Sequence, residues 1–355
     1  MRSRIAFPLA LAALSVVAAV SVTSCVAHTP ASVPAAGPGL DVQIQTDEAD
    51  AALVVLAAHR AGRSASGEAW DRLFASEGYR RLRQREHALG RAFEDATVQA
   101  FLAEDSVVAQ APALAAAVAD WQRADLRGAA WRALAYLPVG TRLRATVYPV
   151  IKPQPNSFVF DVEADPAIFL YVDPEVPRAK LENTVAHELH HIGYAAACEG
   201  PGDGLPERVG TAVTWAGAFG EGLAMLAAAG GPDVHPHAES GDEERARWDR
   251  DVANVEADLR RVEAFFLDVL AGRLADPDSV RSAGMSFFGV QGPWYTVGWT
   301  MAATVERAYG RNRLVGVLCD PRRLMAAYNA AAEAENARGA RLPTWSPSLL
   351  RRLGT

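Results

Sequence analysis

His187 and His191 stand four residues apart, with Glu188 beside the first, in Ala186-His-Glu-Leu-His-His191. This spacing constrains the fold more than any other feature, because it brings the three groups together only on a helix. Residues i and i+4 of a helix lie on one face, so both imidazoles can reach a single point. On a helix, His-Glu-x-x-His is a metal-binding pattern in which the glutamate is placed to take a proton from a water. Periodicity predicts that helix over 181–196. At about 100° per residue, Leu181, Val185, Leu189, Ile192 and Ala196 gather on one side and the two histidines on the other. His190 interrupts the apolar ring and is read as a residue behind the ligands or partly exposed.

A catalytic zinc usually has three protein ligands and one open position. The extended pattern, with a glycine and a third histidine after the motif, is not met: Tyr194 and Ala197 occupy those places. Glu221, in Gly220-Glu-Gly-Leu-Ala224, fits the pattern that takes a glutamate from a later helix. The segment 211–229 is apolar and rich in small residues. A lone carboxylate there is costly, and a cation offsets the cost. Its flanking glycines are expected to let this helix approach the histidine helix closely. The competing reading is a helix-end glutamate in water. His235 and His237 lie in a proline-containing stretch read as a solvated loop, a flap or an adventitious metal site.

Attack of a metal-activated water on a carbonyl develops negative charge on oxygen, and a donor aimed at that oxygen stabilises it. Tyr295 is the candidate, in the first turn of a helix expected between Pro293 and Gly310. Tyr194 and Tyr171 are rivals. The plain alternative is that Trp294, Tyr295 and Trp299 are core aromatics at helical spacing.

The run Ala186-His-Glu-Leu-His-His-Ile-Gly-Tyr194 together with Gly220-Glu-Gly-Leu-Ala224 resembles the gluzincin type of zinc metallopeptidase. More narrowly, the chain resembles an uncharacterised bacterial family of zinc-dependent proteases. Gly78-Tyr79 with Gln84-Arg85-Glu86, and Gly292-Pro-Trp-Tyr-Thr-Val-Gly-Trp299, extend the resemblance over most of the chain. The resemblance implies that His187, His191 and Glu221 bind Zn2+ and that Glu188 is the general base. It also implies that the strand Ala167–Val172 is an edge on which an extended substrate pairs. One departure concerns an aspartate that many gluzincins carry four residues after the glutamate ligand. Met225 stands there.

The N-terminus reads as an export signal over residues 1–24, with Arg2 and Arg4 before a long apolar run. Val22-Thr-Ser-Cys25 resembles a lipoprotein box, so Cys25 is expected to carry acyl chains that anchor the chain to a membrane face. An ordinary signal peptide cut nearby is the alternative. Residues 25–40, rich in Ala, Pro and Gly, read as a flexible tether. Cys198 and Cys319 either pair in an oxidising compartment or remain two buried thiols.

The expected architecture is α+β and predominantly helical. An N-terminal helical region spans 41–140, and a zincin-like region spans 141–355 with a small sheet before the metal helix. Thr46 is expected to cap a helix over 47–61, and strands are expected over 142–151, 157–162 and 167–172. A long helix should run to Gly272, with another over 322–336. The formal net charge of −7 argues against a nucleic-acid partner, and the local run Arg80-Arg-Leu-Arg-Gln-Arg85 is read as a solvated helix face. The functional expectation is a membrane-anchored, exported zinc peptidase acting on peptides or proteins on the periplasmic or extracellular side. The alternative is a non-catalytic metal-binding or interaction lipoprotein on the same fold.

Overall fold

In the computed structural model, residues 39–199 and 204–354 are described. The expected leader, Cys25 and the tether up to residue 38 lie outside the described residues. The chain is mostly helical with one small mixed sheet.

The first half opens with strand β1 (Leu40–Ile44), followed by α1 (Asp47–Arg60), α2 (Gly67–Ala75), α3 (Glu77–Ala88), α4 (Asp95–Leu102), α5 (Asp105–Trp121) and α6 (Leu126–Leu134). Strands β2 (Leu143–Val150), β3 (Phe158–Phe160) and β4 (Ala167–Tyr171) then lead into α7 (Arg178–Ala197), which carries the His-Glu motif. The sheet order is β1-β2-β4-β3. β1 and β4 run parallel to β2, with Val42 opposite Ala145 and Val147 opposite Ile168; β3 is antiparallel to β4, with Phe158 opposite Phe169. Apolar side chains from α1, α5, the sheet and α7 form one core, including Val55, Val118, Val147, Ile168, Val185 and Leu189.

The second half is all helical among the described residues: α8 (Glu207–Ala216), a single 3-10 turn (Gly217–Phe219), α9 (Gly220–Ala229), α10 (Asp242–Ala253), α11 (Val255–Ala271), α12 (Pro277–Ser286), α13 (Pro293–Tyr309), α14 (Arg311–Val315), α15 (Pro321–Asn336) and α16 (Pro347–Leu353). Its core surrounds α13 and contains Phe219, Leu226, Phe266, Trp294, Met301 and Tyr328. The site lies where α7 of the first core meets α9 and α13 of the second.

Several expectations change. Leu40, placed at the end of the tether, opens β1, which is held on β2 by a parallel ladder. β4 is not the edge strand. After Val150 the chain doubles back and lays β3 along its outer side, where Phe158 stacks on Phe169 with ring centroids 5.2 Å apart. Beyond Phe169 that side of β4 is no longer covered by β3, and the Tyr171 N–H donates to Ser157 Oγ at 3.2 Å. Thr46 does occupy the N-cap position, but its hydroxyl donates to Asp50 and accepts from Gln122 instead of capping. The long helix before Gly272 is two helices, broken at Asn254.

The arginine run is not a uniformly solvated face. Arg81 and Arg85, one turn apart, are buried, whereas Arg80 and Arg83 are not. Arg81 pairs with Asp165 at 2.8 Å. The Arg85 guanidinium lies 3.7 Å from the centre of the Phe158 ring and pairs with Glu86. A guanidinium is weakly hydrated and stacks on aromatic faces, which makes such burial tolerable.

Candidate metal centre and its cavity

Helix α7 is fixed by its apolar stripe. Leu181, Val185, Leu189 and Ile192 are all at most 2 % exposed, and each contributes about 2 kcal/mol on burial. Ala196, expected on the same stripe, is exposed. Gly193 lets the helix sit down on its support. A Cβ there would lie 2.2 Å from Leu137 Cδ1 and 2.8 Å from Leu143 Cδ2. The opposite side turns His187 and His191 toward α9.

Glu221 is in the first turn of α9 and is buried. Its position depends on the crossing of α9 with α13. A Cβ on Gly222 would lie 2.0 Å from Trp299 N, and one on Gly298 would lie 2.6 Å from Phe219 O. Gly222 therefore serves the approach of α9 to α13, not to α7 as expected from the sequence. Gly220 has open space around it.

Three donor atoms converge. His187 Nε2 and His191 Nε2 are 3.0 Å apart, and each is 3.2 Å from Glu221 Oε2. A tetrahedral zinc with bonds of 2.0–2.1 Å has ligand-to-ligand edges of about 3.3 Å, so the residues present fit such an ion. Two neutral imidazoles and one carboxylate are also a donor set that zinc takes. Burial alone would raise the Glu221 carboxyl, but the charge of His191 and hydrogen bonds from both rings hold it well below the usual carboxylate range. Burial alone would likewise lower His191, yet Glu221 pushes it up to about 9. The site is thus strongly polarised toward holding positive charge.

Glu188 is completely buried, and neither carboxylate oxygen has a hydrogen-bond partner among the described residues. Burial raises its carboxyl, opposed by the neighbouring histidines. A buried carboxylate without a partner is costly unless a cation or a bound molecule completes its surroundings. His190 is fully buried, not partly exposed. Its ring nitrogens have no hydrogen-bond partner among the described residues, and burial lowers it to about 3, so the ring is neutral.

A cavity of about 170 Å³ adjoins the centre. His187, Met225 and Tyr295 line its inner end, the end of β4 with Leu170 and Tyr171 forms one wall, and His237 lies on another. Met225, at the place of the gluzincin aspartate, faces this space. Tyr295 is 3 % exposed, and its ring is nearly parallel to that of His187 at 6.5 Å. Burial, followed by the Glu221 and Glu188 carboxylates, raises its hydroxyl well above the usual range, so it remains a donor. Of the rival tyrosines, Tyr171 lines the cavity. Tyr194 instead donates to Leu318 O near the Cys198–Cys319 disulfide.

His235 and His237 do not join the trio. His235 pairs with exposed Asp249 at 3.1 Å. His237 is buried beside Trp248, and its Nδ1 is 3.1 Å from Ser240 Oγ. Its surroundings are therefore the cavity wall and not a solvated loop. The charged wall contributed by α10 went unrecognised in the sequence, because no motif marks it.

No curated protein and no solved structure matches the chain. One family model does, over residues 70–337, about three quarters of the sequence and including both α7 and Glu221. Its description is "Putative zinc dependent peptidase (DUF5700)". With that coverage, the chain belongs to this family of zinc-dependent peptidases.

Proposed function

We propose that His187, His191 and Glu221 hold one zinc ion and that the chain hydrolyses peptide bonds with Glu188 as general base. The observation that carries this reading is the convergence of three donor atoms from two helices beside a buried carboxylate with no partner among the described residues. Zinc, when bound, supplies a Lewis acid that polarises the scissile carbonyl and makes water more acidic. Glu188 takes a proton from the attacking water onto a carboxylate oxygen and gives it to the leaving amine. The Tyr295 hydroxyl donates to the carbonyl oxygen as negative charge grows there, an interaction worth about 3 kcal/mol. His190, a neutral ring 6.5 Å from the ring of His191, transfers no proton in this scheme.

The disulfide between Cys198 and Cys319 supports an oxidising compartment. We infer that the chain is exported, that acyl chains on Cys25 tether it to a membrane, and that its substrates are peptides or proteins outside the cytoplasm. The tether reading rests on the sequence around Cys25.

The test combines metal analysis with one variant. Purified protein should contain one zinc per chain. Glu188→Gln should keep that zinc and lose about 100- to 10,000-fold in peptide hydrolysis. A variant that turns over like wild type, or a protein without stoichiometric zinc, refutes the assignment.

A further inference from the structure

The cavity holds a charged group that this chemistry does not use. Arg247, on α10, lines it and forms no ion pair among the described residues; its Nε is buried without an acceptor. The other cation on the wall is already engaged, since Lys180 Nζ lies 2.5 Å from Glu244 Oε2. Asp173 also lines the cavity, and it accepts from the Glu175 N–H at 2.9 Å. Two more polar atoms on the lining, Gln291 Oε1 and His237 Nε2, lack partners among the described residues. Gln291 holds its backbone at φ +70°, in the left-handed region that a side chain enters at a cost. Such outliers gather at ligand-binding segments.

The remaining lining includes apolar Trp121, Leu170 and Leu181. A guanidinium in apolar surroundings presents a planar fork of N–H donors that matches a carboxylate better than any neutral group. A side-chain amide oxygen matches a peptide N–H. The unpartnered groups are therefore complementary to a peptide bearing a carboxylate.

We propose that Arg247 anchors a carboxylate of the peptide substrate in the cavity shared with His187 and Tyr295. The proposal rests on the peptidase reading for the nature of the ligand. Gln291 accepts an N–H from the same peptide. The carboxylate comes either from the peptide's C-terminus or from an acidic side chain. The first source fixes the cleaved bond at a set distance from the end of the chain. The second selects an acidic residue near that bond.

The test measures binding, so that it does not depend on turnover. The full chain carrying Glu188→Gln, loaded with zinc, is titrated calorimetrically with N-acetyl-Ala-Ala-Phe as the free acid and as the amide. A second pair, N-acetyl-Ala-Glu-Phe-amide and N-acetyl-Ala-Gln-Phe-amide, probes a side-chain source. One of the two carboxylates should bind about 10- to 100-fold more tightly than its neutral partner. Arg247→Gln in the same background should bring that ratio to about 1. Arg247→Lys, which keeps charge but not the fork, should leave an intermediate ratio and serves if the glutamine variant does not fold. Equal binding within both pairs, or a preference that survives loss of the guanidinium, overturns the proposal. If Arg247 carries the preference but the zinc-loaded wild-type chain leaves these peptides uncut, the subsite stands and the peptidase reading falls.

Discussion

Replacing Gly222 with alanine sets two effects of opposite sign against each other. Helix propensity alone favours alanine by about 1 kcal/mol in a helix interior. Packing opposes it, because the new Cβ would lie 2.0 Å from Trp299 N, 2.3 Å from Gly298 C and 2.5 Å from Tyr295 O. All three are backbone atoms of α13 and cannot rotate aside. Ordinary contact needs about 3.5 Å, so the two helices must part by roughly 1.5 Å. Overpacking a dense core typically costs about 1–3 kcal/mol, and a clash with backbone falls at the upper end. Packing therefore wins, and the variant should lose about 2 kcal/mol of stability. Glu221 precedes the substituted residue, and Tyr295 supplies one of the clashing atoms. The same displacement should weaken zinc binding by about tenfold or more, since a misplaced ligand loses its bond geometry. Gly220→Ala is the control, because a Cβ there meets nothing within 4 Å. Urea unfolding and zinc competition against a chelator, run on both variants, give the answer. A Gly222→Ala protein with wild-type stability and zinc affinity would refute the reasoning, as would an equal loss in Gly220→Ala.

Two further predictions concern the rest of the fold. Burial raises the Glu48 carboxyl from 4.5 to about 8, while Oε2 accepts from the Ile151 N–H at 2.9 Å. Since the folded value is the higher one, the stability this group contributes is complete below pH 4.5 and is lost as pH rises through about 8. The loss reaches about 3 kcal/mol at pH 7. Glu48→Gln keeps an acceptor without a charge, so it should exceed wild type in urea midpoint at pH 8 and match it at pH 4.5; the same difference at both would count against the account. Lys152, lowered to about 7 by burial, acts with the opposite sign and is present in both proteins. Second, removing the disulfide through Cys198→Ala with Cys319→Ala should cost about 2–5 kcal/mol, given the 121-residue separation it spans. Unfolding of the variant and of wild type, with and without reductant, measures this, and two free thiols in an unreduced, denatured chain lacking Cys25 would remove its basis.

What the sequence disclosed follows the range of the forces involved. The helix around His187 was legible because an apolar stripe and a motif agreed in phase, and β2, β3 and β4 because their residues are rich in Val, Ile, Phe and Tyr. β1 went unread, although Leu-Asp-Val-Gln-Ile alternates, because five residues after a Pro-Gly-rich stretch look like linker until a partner strand is known. The burial of Arg81 and Arg85 depends on Asp165 and Phe158, more than seventy positions away. Gly222 was recognised as a close-packing glycine, but the helix it faces is a tertiary fact. Glu221 stood out because a lone carboxylate in an apolar run requires a partner. Arg247 lies in the highly charged α10, where one more arginine carries no signal.

The bridge between Cys198 and Cys319 begins about two turns beyond His191 and ends just before α15. It fastens the far end of the histidine helix to the bundle that supplies Glu221 and Tyr295. Sliding of α7 along its own axis, the motion that would pull the two imidazoles away from the carboxylate, has to carry this covalent link with it. With such a clamp, each half of the centre retains its partner through thermal excursions.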